Sequence, residues 1–142
     1  MRVGVPAEIK PGEHRVGLTP TAVREYVAHG HTVIVEAGAG QGAGYADEAF
    51  RKAGATIVAD ADAVFAGAEM IVKVKEPQKV EWERLEPRHI LFTYLHLAPD
   101  PAQTEGLLKS GCAAIGTTRR IAASSGACSR RRTAWPRWSI GC

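Results

Sequence analysis

The sequence predicts an α/β fold, in which a doubly wound and mostly parallel sheet carries flanking helices. Short β-branched or apolar runs alternate along the chain with segments of helical character, and this alternation is typical of parallel strands joined by crossover helices. Glycine, proline and aspartate stand where these segments should begin or end. A length of 142 residues suits a single domain with a sizeable core.

The first half of the chain contains three predicted strands, over residues 2–6, 32–36 and 56–58. A helix begins at Pro20, with Thr19 as its N-cap, and Gly30 is the expected stop. A glycine-rich loop over residues 38–44 leads into a short helix, for which Asp47 is the expected N-cap and Gly54 closes the end.

The second half continues the alternation. A short helix is predicted over residues 61–66, and strands over residues 70–75, 90–95 and 113–115. A last helix begins at Asp100-Pro101 and stops before Gly111, with Gln103 placed three residues after Asp100 as in a capping box.

The character of the chain changes after Gly116. Residues 1–116 hold 12 Lys and Arg against 15 Asp and Glu, whereas residues 117–142 hold six Arg and no acid. The basic pI therefore belongs to residues 117–142, which show no sustained period of 2 or 3.6. We interpret them as an aberrant basic tail, out of frame or disordered, produced by a frameshift in a longer gene. The alternative is a genuine basic tail for an anionic partner such as nucleic acid.

Composition excludes several classes of protein. No apolar run reaches 18 residues, so no membrane span is expected, and the N-terminus lacks the apolar region of a signal peptide. Cys112, Cys128 and Cys142 lack the spacing of metal ligands. They suit reduced thiols in the cytoplasm, so the predicted localisation is cytoplasmic and no metal site is predicted.

The run Leu91-Phe92-Thr93-Tyr94-Leu95-His96-Leu97-Ala98 predicts a buried strand that ends in an ionisable residue. His96 can transfer a proton near neutral pH, and alternation places Tyr94 on the same face. The alternative is a core histidine that is hydrogen-bonded to a carbonyl.

Three further cationic side chains could bind an anion. Alternation places Lys73 and Lys75 on one face at the carboxyl end of a strand, which is where parallel sheets bind ligands. A turn places Arg15 just before the first helix, and the Arg15 guanidinium can form two parallel hydrogen bonds with a carboxylate. The alternatives are a solvated charge at the sheet edge and a solvated surface arginine.

The glycine-rich loop suggests a dinucleotide site, because Gly38-Ala39-Gly40 follows a strand and Ala43 takes the third position of the looser fingerprint. However, Tyr45-Ala46-Asp47 separates the loop from the next helix, so no helix N-terminus would face the pyrophosphate. A flexible connection between strand and helix is favoured.

Together these segments resemble the alanine dehydrogenase family, which also includes the N-terminal part of the transhydrogenase α subunit. The resemblance covers residues 1 to about 116 and rests on long motifs. They are Val3-Gly4-Val5-Pro6-x-Glu8-Ile9-Lys10, Glu13-x-Arg15-Val16-x-Leu18-Thr19-Pro20, Glu36-x-Gly38-Ala39-Gly40, Ala53-Gly54-Ala55, Val72-Lys73-Val74-Lys75-Glu76-Pro77 and the Leu91–Ala98 run.

The resemblance implies a partial substrate domain of Rossmann-like topology over residues 1–116. It implies that Arg15 and Lys75 bind pyruvate or L-alanine, that Tyr94 lines the pocket and that His96 is the catalytic acid/base. The family's reaction is NAD-dependent oxidative deamination of L-alanine to pyruvate and ammonia. Tyr94-Leu95-His96 favours alanine dehydrogenase over a transhydrogenase fragment, which lacks a histidine there.

The family continues into an NAD-binding domain and then returns to complete the substrate domain, and this chain contains neither part. We therefore expect that the chain alone binds no NAD and is inactive. An apolar sheet face left without its covering helices should favour a homo-oligomer. A non-catalytic interaction module that uses the basic tail is the remaining alternative.

Overall fold

The structure, a computed structural model, describes residues 1–117. Six parallel strands form one sheet in the order β3-β2-β1-β4-β5-β6. They are β1 (Arg2–Val5), β2 (Thr32–Glu36), β3 (Thr56–Val58), β4 (Met70–Val72), β5 (Ile90–Thr93) and β6 (Ala113–Gly116). The predicted parallel, doubly wound sheet is confirmed. The predicted basic tail lies outside the described residues, except for Thr117.

Five α-helices connect these strands. They are α1 (Pro20–Ala28), α2 (Asp47–Lys52), α3 (Ala61–Gly67), α4 (Lys79–Trp82) and α5 (Pro101–Ser110). Capping defines three of their N-termini, because the side chains of Thr19, Asp60 and Asp100 accept hydrogen bonds from first-turn amides. Within residues 1–117, no helix has both the length and the apolar character that a bilayer crossing requires.

Helix α2 begins differently from its prediction. Ala46 is the N-cap, and Asp47 is the first helical residue. The Asp47 carboxylate instead accepts a hydrogen bond from the Gly38 amide at 2.8 Å. The carboxylate therefore fastens the glycine-rich loop to the helix, and the prediction of Asp47 as N-cap was wrong.

Strands β4 and β5 are shorter than predicted. They end at Val72 and Thr93, which places Lys73, Lys75, Tyr94 and His96 in the following loops. The alternation rule does not apply beyond a strand end. These four side chains therefore have to be located individually.

The core consists of two clusters on opposite faces of the sheet. On β2, Val33 and Val35 belong to the cluster beneath α1 and α2, whereas Ile34 packs in the cluster beneath α3 and α5. The first cluster does not extend over β5 and β6. Phe92 and Ile115 are side by side in register there, and they are 37% and 49% exposed.

Candidate functional site at the carboxyl edge of the sheet

The strand order has a switch point between β1 and β4. From β1 the chain proceeds outward to β2 and β3, and it then returns to build β4, β5 and β6 on the other side. Parallel sheets bind ligands in the crevice outside the carboxyl ends of two such strands. The loop after β1 carries Arg15, the loop after β4 carries Lys75, and the loop after β5 carries Tyr94 and His96.

Arg15 is fixed by a neighbouring acid. Its Nε and one terminal nitrogen, Nη2, contact the two carboxylate oxygens of Glu13 at 2.8 and 2.6 Å. The hydrogen bond from Arg15 is the main cause that lowers the pKa of Glu13 to about 2. Glu13 occupies one edge of the guanidinium, so the pair presents an oriented cation whose side chain is 61% exposed.

A cleft of about 190 Å³ opens beside this pair. Its walls come from the loop after β1 and from the glycine-rich loop, and they consist of Ala7, Glu8, Glu13, His14, Arg15, Gly38, Ala39 and Gly42. A Cβ atom on Gly42 would lie 2.7 Å from the His14 carbonyl oxygen, so this approach of the two loops requires glycine. Lys75, Tyr94 and His96 do not line this cleft.

Lys73 and Lys75 have different environments. The side chain of Lys73 is 1% exposed and forms ion pairs with Glu8 and Glu81. Lys75 is half-buried, and its carbonyl oxygen accepts a 2.7 Å hydrogen bond from Thr93 Oγ1. Of the two lysines, Lys75 is the one available to a ligand at this edge, whereas Lys73 belongs to the interior.

His96 lies three residues beyond the end of β5 and is exposed. The prediction of a buried strand that ends at His96 was therefore wrong, because the ladder stops at Thr93. Its φ of 46° is in the left-handed region, which only glycines otherwise adopt within residues 1–117. The Tyr94 and His96 rings stack with centroids 6.3 Å apart and planes 20° apart.

The core histidine of this fold is His89. It is 1% exposed, its Nδ1 accepts a hydrogen bond from the Glu86 amide, and its Nε2 donates to the Phe65 carbonyl oxygen. This pattern of one acceptor and one donor is that of a neutral imidazole. The alternative offered for His96, a core histidine hydrogen-bonded to a carbonyl, therefore fits His89, whereas His96 is exposed.

Several contacts connect the three loops. The Tyr94 amide donates to the Val74 carbonyl oxygen at 3.3 Å, which joins the loops after β4 and β5. Glu8, in the loop after β1, accepts hydrogen bonds from the Val74 and Lys75 amides, which joins that loop to the loop after β4. The Arg15, Lys75, Tyr94 and His96 positions thus share one edge of the sheet.

The glycine-rich loop does not fit a dinucleotide. Most of its amides donate inside the loop or to its flanks: those of Gly38, Ala39, Gln41, Ala43 and Gly44. A pyrophosphate needs such amides free, at the start of a helix that faces it. The loop forms a 3-10 turn at Gln41–Ala43 whose packing is tight; the flexibility of this connection stays a prediction.

Sequence reasoning missed the buried charges behind this edge. Glu8, Lys73 and Glu81 have side chains only 1–3% exposed. Glu81 lies on α4, a helix that was not predicted, although Gln78 three residues before Glu81 follows the capping-box spacing. Glu8 gave no signal of its own, because glutamates are rarely buried.

The fold and this edge define a class: α/β proteins with a parallel sheet and a cationic, histidine-bearing ligand edge at its switch point. A family model described as "Alanine dehydrogenase/PNT, N-terminal domain" matches residues 4–126. The chain belongs to this family. The match extends past Gly116, so the division of the chain at that residue stays a prediction.

Individual relatives agree with the family. The chain is 52% identical over 115 residues to alanine dehydrogenase of Halomonas elongata, covering 81% of this chain and 31% of that protein. It is 54% identical over 108 residues to that of Methanococcus maripaludis, covering 76% and 29%. The chain therefore spans about 30% of the length of these curated relatives.

Two solved structures share the fold. An L-alanine dehydrogenase superposes with a TM-score of 0.79 at 48% identity, covering 82% of this chain and 32% of that one. A transhydrogenase from Sinorhizobium meliloti superposes with a TM-score of 0.78 at 25% identity, covering 86% of this chain and 37% of that one. The backbone is therefore common to both classes, and the sequence favours alanine dehydrogenase.

Proposed function

We propose that this chain is the N-terminal part of the substrate domain of an alanine dehydrogenase. The intact protein would catalyse NAD-dependent oxidative deamination of L-alanine to pyruvate and ammonia. The observation that carries this proposal is the gathering of Arg15, Lys75, Tyr94 and His96 in loops beyond three adjacent parallel strands. The identity to alanine dehydrogenases over these loops supports it.

Each side chain has a proposed role that suits its chemistry. Arg15 binds the substrate carboxylate through the guanidinium nitrogens that Glu13 leaves free, and Lys75 polarises the keto oxygen. Tyr94 lines the pocket and stacks on His96. His96 transfers the proton, because imidazole titrates near neutral pH.

NAD is proposed to bind to the part of the intact protein beyond residues 1–117, since the glycine-rich loop does not fit it. We propose that the 142-residue chain alone does not turn over and that the intact enzyme acts in the cytoplasm. L-alanine- and NAD-dependent formation of NADH by the purified chain, abolished by His96→Ala, would contradict the proposed inactivity. Sequencing beyond the 3′ end of the gene tests the frameshift hypothesis, which requires a dinucleotide fingerprint in another frame.

The binding half of the proposal can be tested on the chain itself. Pyruvate is titrated into the purified chain and followed by saturation-transfer NMR. Arg15→Met and Lys75→Met should each weaken binding by about tenfold or more, because each removes a charge-assisted hydrogen bond. Lys79→Met is the matched control, since Lys79 is 77% exposed and lies on α4. Equal affinities in all four proteins would contradict the assigned roles.

We also propose that the chain self-associates through the uncovered face at Phe92 and Ile115. Both are large apolar side chains on a sheet face that no helix of residues 1–117 covers. Phe92→Ser should shift the chain toward monomer in sedimentation velocity. A wild-type chain that sediments as a monomer at all concentrations would contradict self-association.

A further inference from the structure

The segment Lys73–Lys75 has an unusual way of satisfying its backbone. Strand β1 pairs with β4 only as far as Ile71, and the β1 strand itself ends at Val5. The amides of Val74 and Lys75 therefore have no neighbouring strand on that side. On the other side, the end of β5 and the loop after it hold the segment. Tyr94 N donates to Val74 O, and Thr93 Oγ1 donates to Lys75 O.

A side chain takes the place of the missing strand. Glu8 Oε1 accepts from the Val74 amide at 2.7 Å, and Glu8 Oε2 accepts from the Lys75 amide at 3.4 Å. The Glu8 side chain is only 2% exposed. A buried carboxylate needs partners, and these two amides together with Lys73 supply them.

Glu8 is in turn fixed by the buried lysine. Lys73 Nζ lies 3.3 Å from Glu8 Oε2 and also contacts Glu81 Oε1. The second oxygen of Glu81 accepts from the Gln78 amide at the start of α4. A continuous chain of contacts thus runs from α4 through Glu81, Lys73 and Glu8 to the backbone of Lys75.

We infer that Glu8 is a positioning residue. Its carboxylate acts as a clamp that holds the Val74–Lys75 backbone and thereby orients the Lys75 side chain toward the proposed substrate site at the carboxyl edge of the sheet. This role rests on the proposed function, in which Lys75 contacts the substrate. Glu8 also borders the cleft that contains Arg15. One carboxylate therefore sets the spacing between the two cationic loops.

Two variants separate positioning from general stability. Glu8→Gln and Glu81→Gln each leave Lys73 with one carboxylate, but only Glu8→Gln replaces one of the two acceptors of the clamp by an NH2 group, which cannot accept from a backbone amide. Amide hydrogen exchange of Val74 and Lys75 is measured by NMR on the full chain. We expect Glu8→Gln to speed exchange of the amide that loses its acceptor by about tenfold or more, and Glu81→Gln to change exchange of either amide by less than about threefold.

Pyruvate affinity is the second measurement. Glu8→Gln should raise the Kd for pyruvate by about tenfold, whereas Glu81→Gln should leave it within about twofold. Unchanged amide exchange in Glu8→Gln overturns the inference. The inference is also overturned if Glu8→Gln leaves the Kd for pyruvate unchanged while Lys75→Met raises that Kd.

The two proposals fail separately. If the wild-type chain binds no pyruvate, the proposed binding function fails, and amide exchange alone decides whether Glu8 clamps the segment. If Glu8→Gln does not fold, the triple variant Glu8→Gln/Lys73→Met/Glu81→Gln removes all three buried charges together and leaves no ion without its partner. Faster exchange of Val74 or Lys75 in that variant supports the clamp, and wild-type exchange of both overturns it.

Discussion

Two groups of charges lie at the same edge of the sheet, and they do different things. Glu13 and Arg15 form a partly exposed pair beside the cleft, in which the Arg15 side chain is 61% exposed and the Glu13 side chain 6%, whereas Glu8, Lys73 and Glu81 form a fully buried group behind it. The partly exposed pair keeps one edge of a guanidinium available to a ligand. The buried group has all its members engaged with one another and with backbone amides. The comparison shows that residue type alone does not distinguish an accessible cation from a structural one.

Burial explains the difference in energetic terms. An ion pair whose cation is in water, as Arg15 is, is partly screened and contributes less to stability than a fully buried one. A buried group costs desolvation energy, and breaking it leaves an uncompensated charge in the interior. Two carboxylates share one ammonium here, and burial raises the pKa of Glu81 in spite of Lys73.

The largest effect is expected from Lys73→Met. This change leaves Glu8 and Glu81 buried without their common cation, so the free energy of unfolding at pH 7 should fall by about 3–5 kcal/mol. The measurement is urea denaturation followed by circular dichroism. Lys79→Met, at an exposed position, is the control.

The fall in the free energy of unfolding caused by Lys73→Met should also depend on pH, in a direction that the pKa of Glu81 defines. A carboxyl group whose folded-state pKa is raised binds its proton more readily in the folded than in the unfolded chain, so stability falls as pH rises through the folded pKa. Without Lys73 the pKa of Glu81 should rise further. The deficit of Lys73→Met should therefore shrink between pH 7 and pH 5, and a constant deficit would contradict the buried pairing.

Lys10 and Glu76 provide an intermediate case. Their side chains form an ion pair and are 36% and 13% exposed. Burial is the largest single influence and acts to raise the pKa of Glu76, but the hydrogen bond from Lys10, a backbone hydrogen bond and the charge of Lys10 together outweigh it, and the net pKa is lowered. Lys10→Met should lower the free energy of unfolding by about 1 kcal/mol, between the exposed and buried limits. If Lys10→Met lowered the free energy of unfolding as much as Lys73→Met, exposure would not determine how strongly these ion pairs stabilise the fold.

The sequence predicted the fold better than it predicted the edge. Strand and helix positions follow from apolar runs and from caps such as Thr19 and Asp100, which act locally. The environments of Lys73 and Lys75 depend on where β1 and β4 stop pairing and on Glu8, 65 residues or more away along the chain. No local pattern contains that information. The motif around Glu8 was recognised, but its burial was not foreseen.

His96 shows the same limit from another direction. An apolar run predicted a strand that continues to His96. The ladder instead ends at Thr93, and the Tyr94 amide donates to the Val74 carbonyl oxygen in the loop after β4. His96 itself adopts a left-handed backbone conformation, which no apolar pattern predicts. The resemblance to a family singled out His96 as a site residue, and periodicity gave it the wrong environment.

The smallest effect on stability, and the most specific in its pH dependence, is expected from Glu13→Gln. Because Arg15 lowers the pKa of Glu13 to about 2 from its ordinary 4.5, the ionised pair stabilises the fold fully above pH 4.5. This contribution is lost as pH falls through about 2. The thermal midpoint of the wild type should therefore converge on that of Glu13→Gln on acidification, opposite in sign to the behaviour expected for Glu81. A difference that stays constant from pH 7 to pH 2.5 would show that the Glu13 carboxylate is not held by Arg15, and the orientation of the guanidinium toward the cleft would then need another cause.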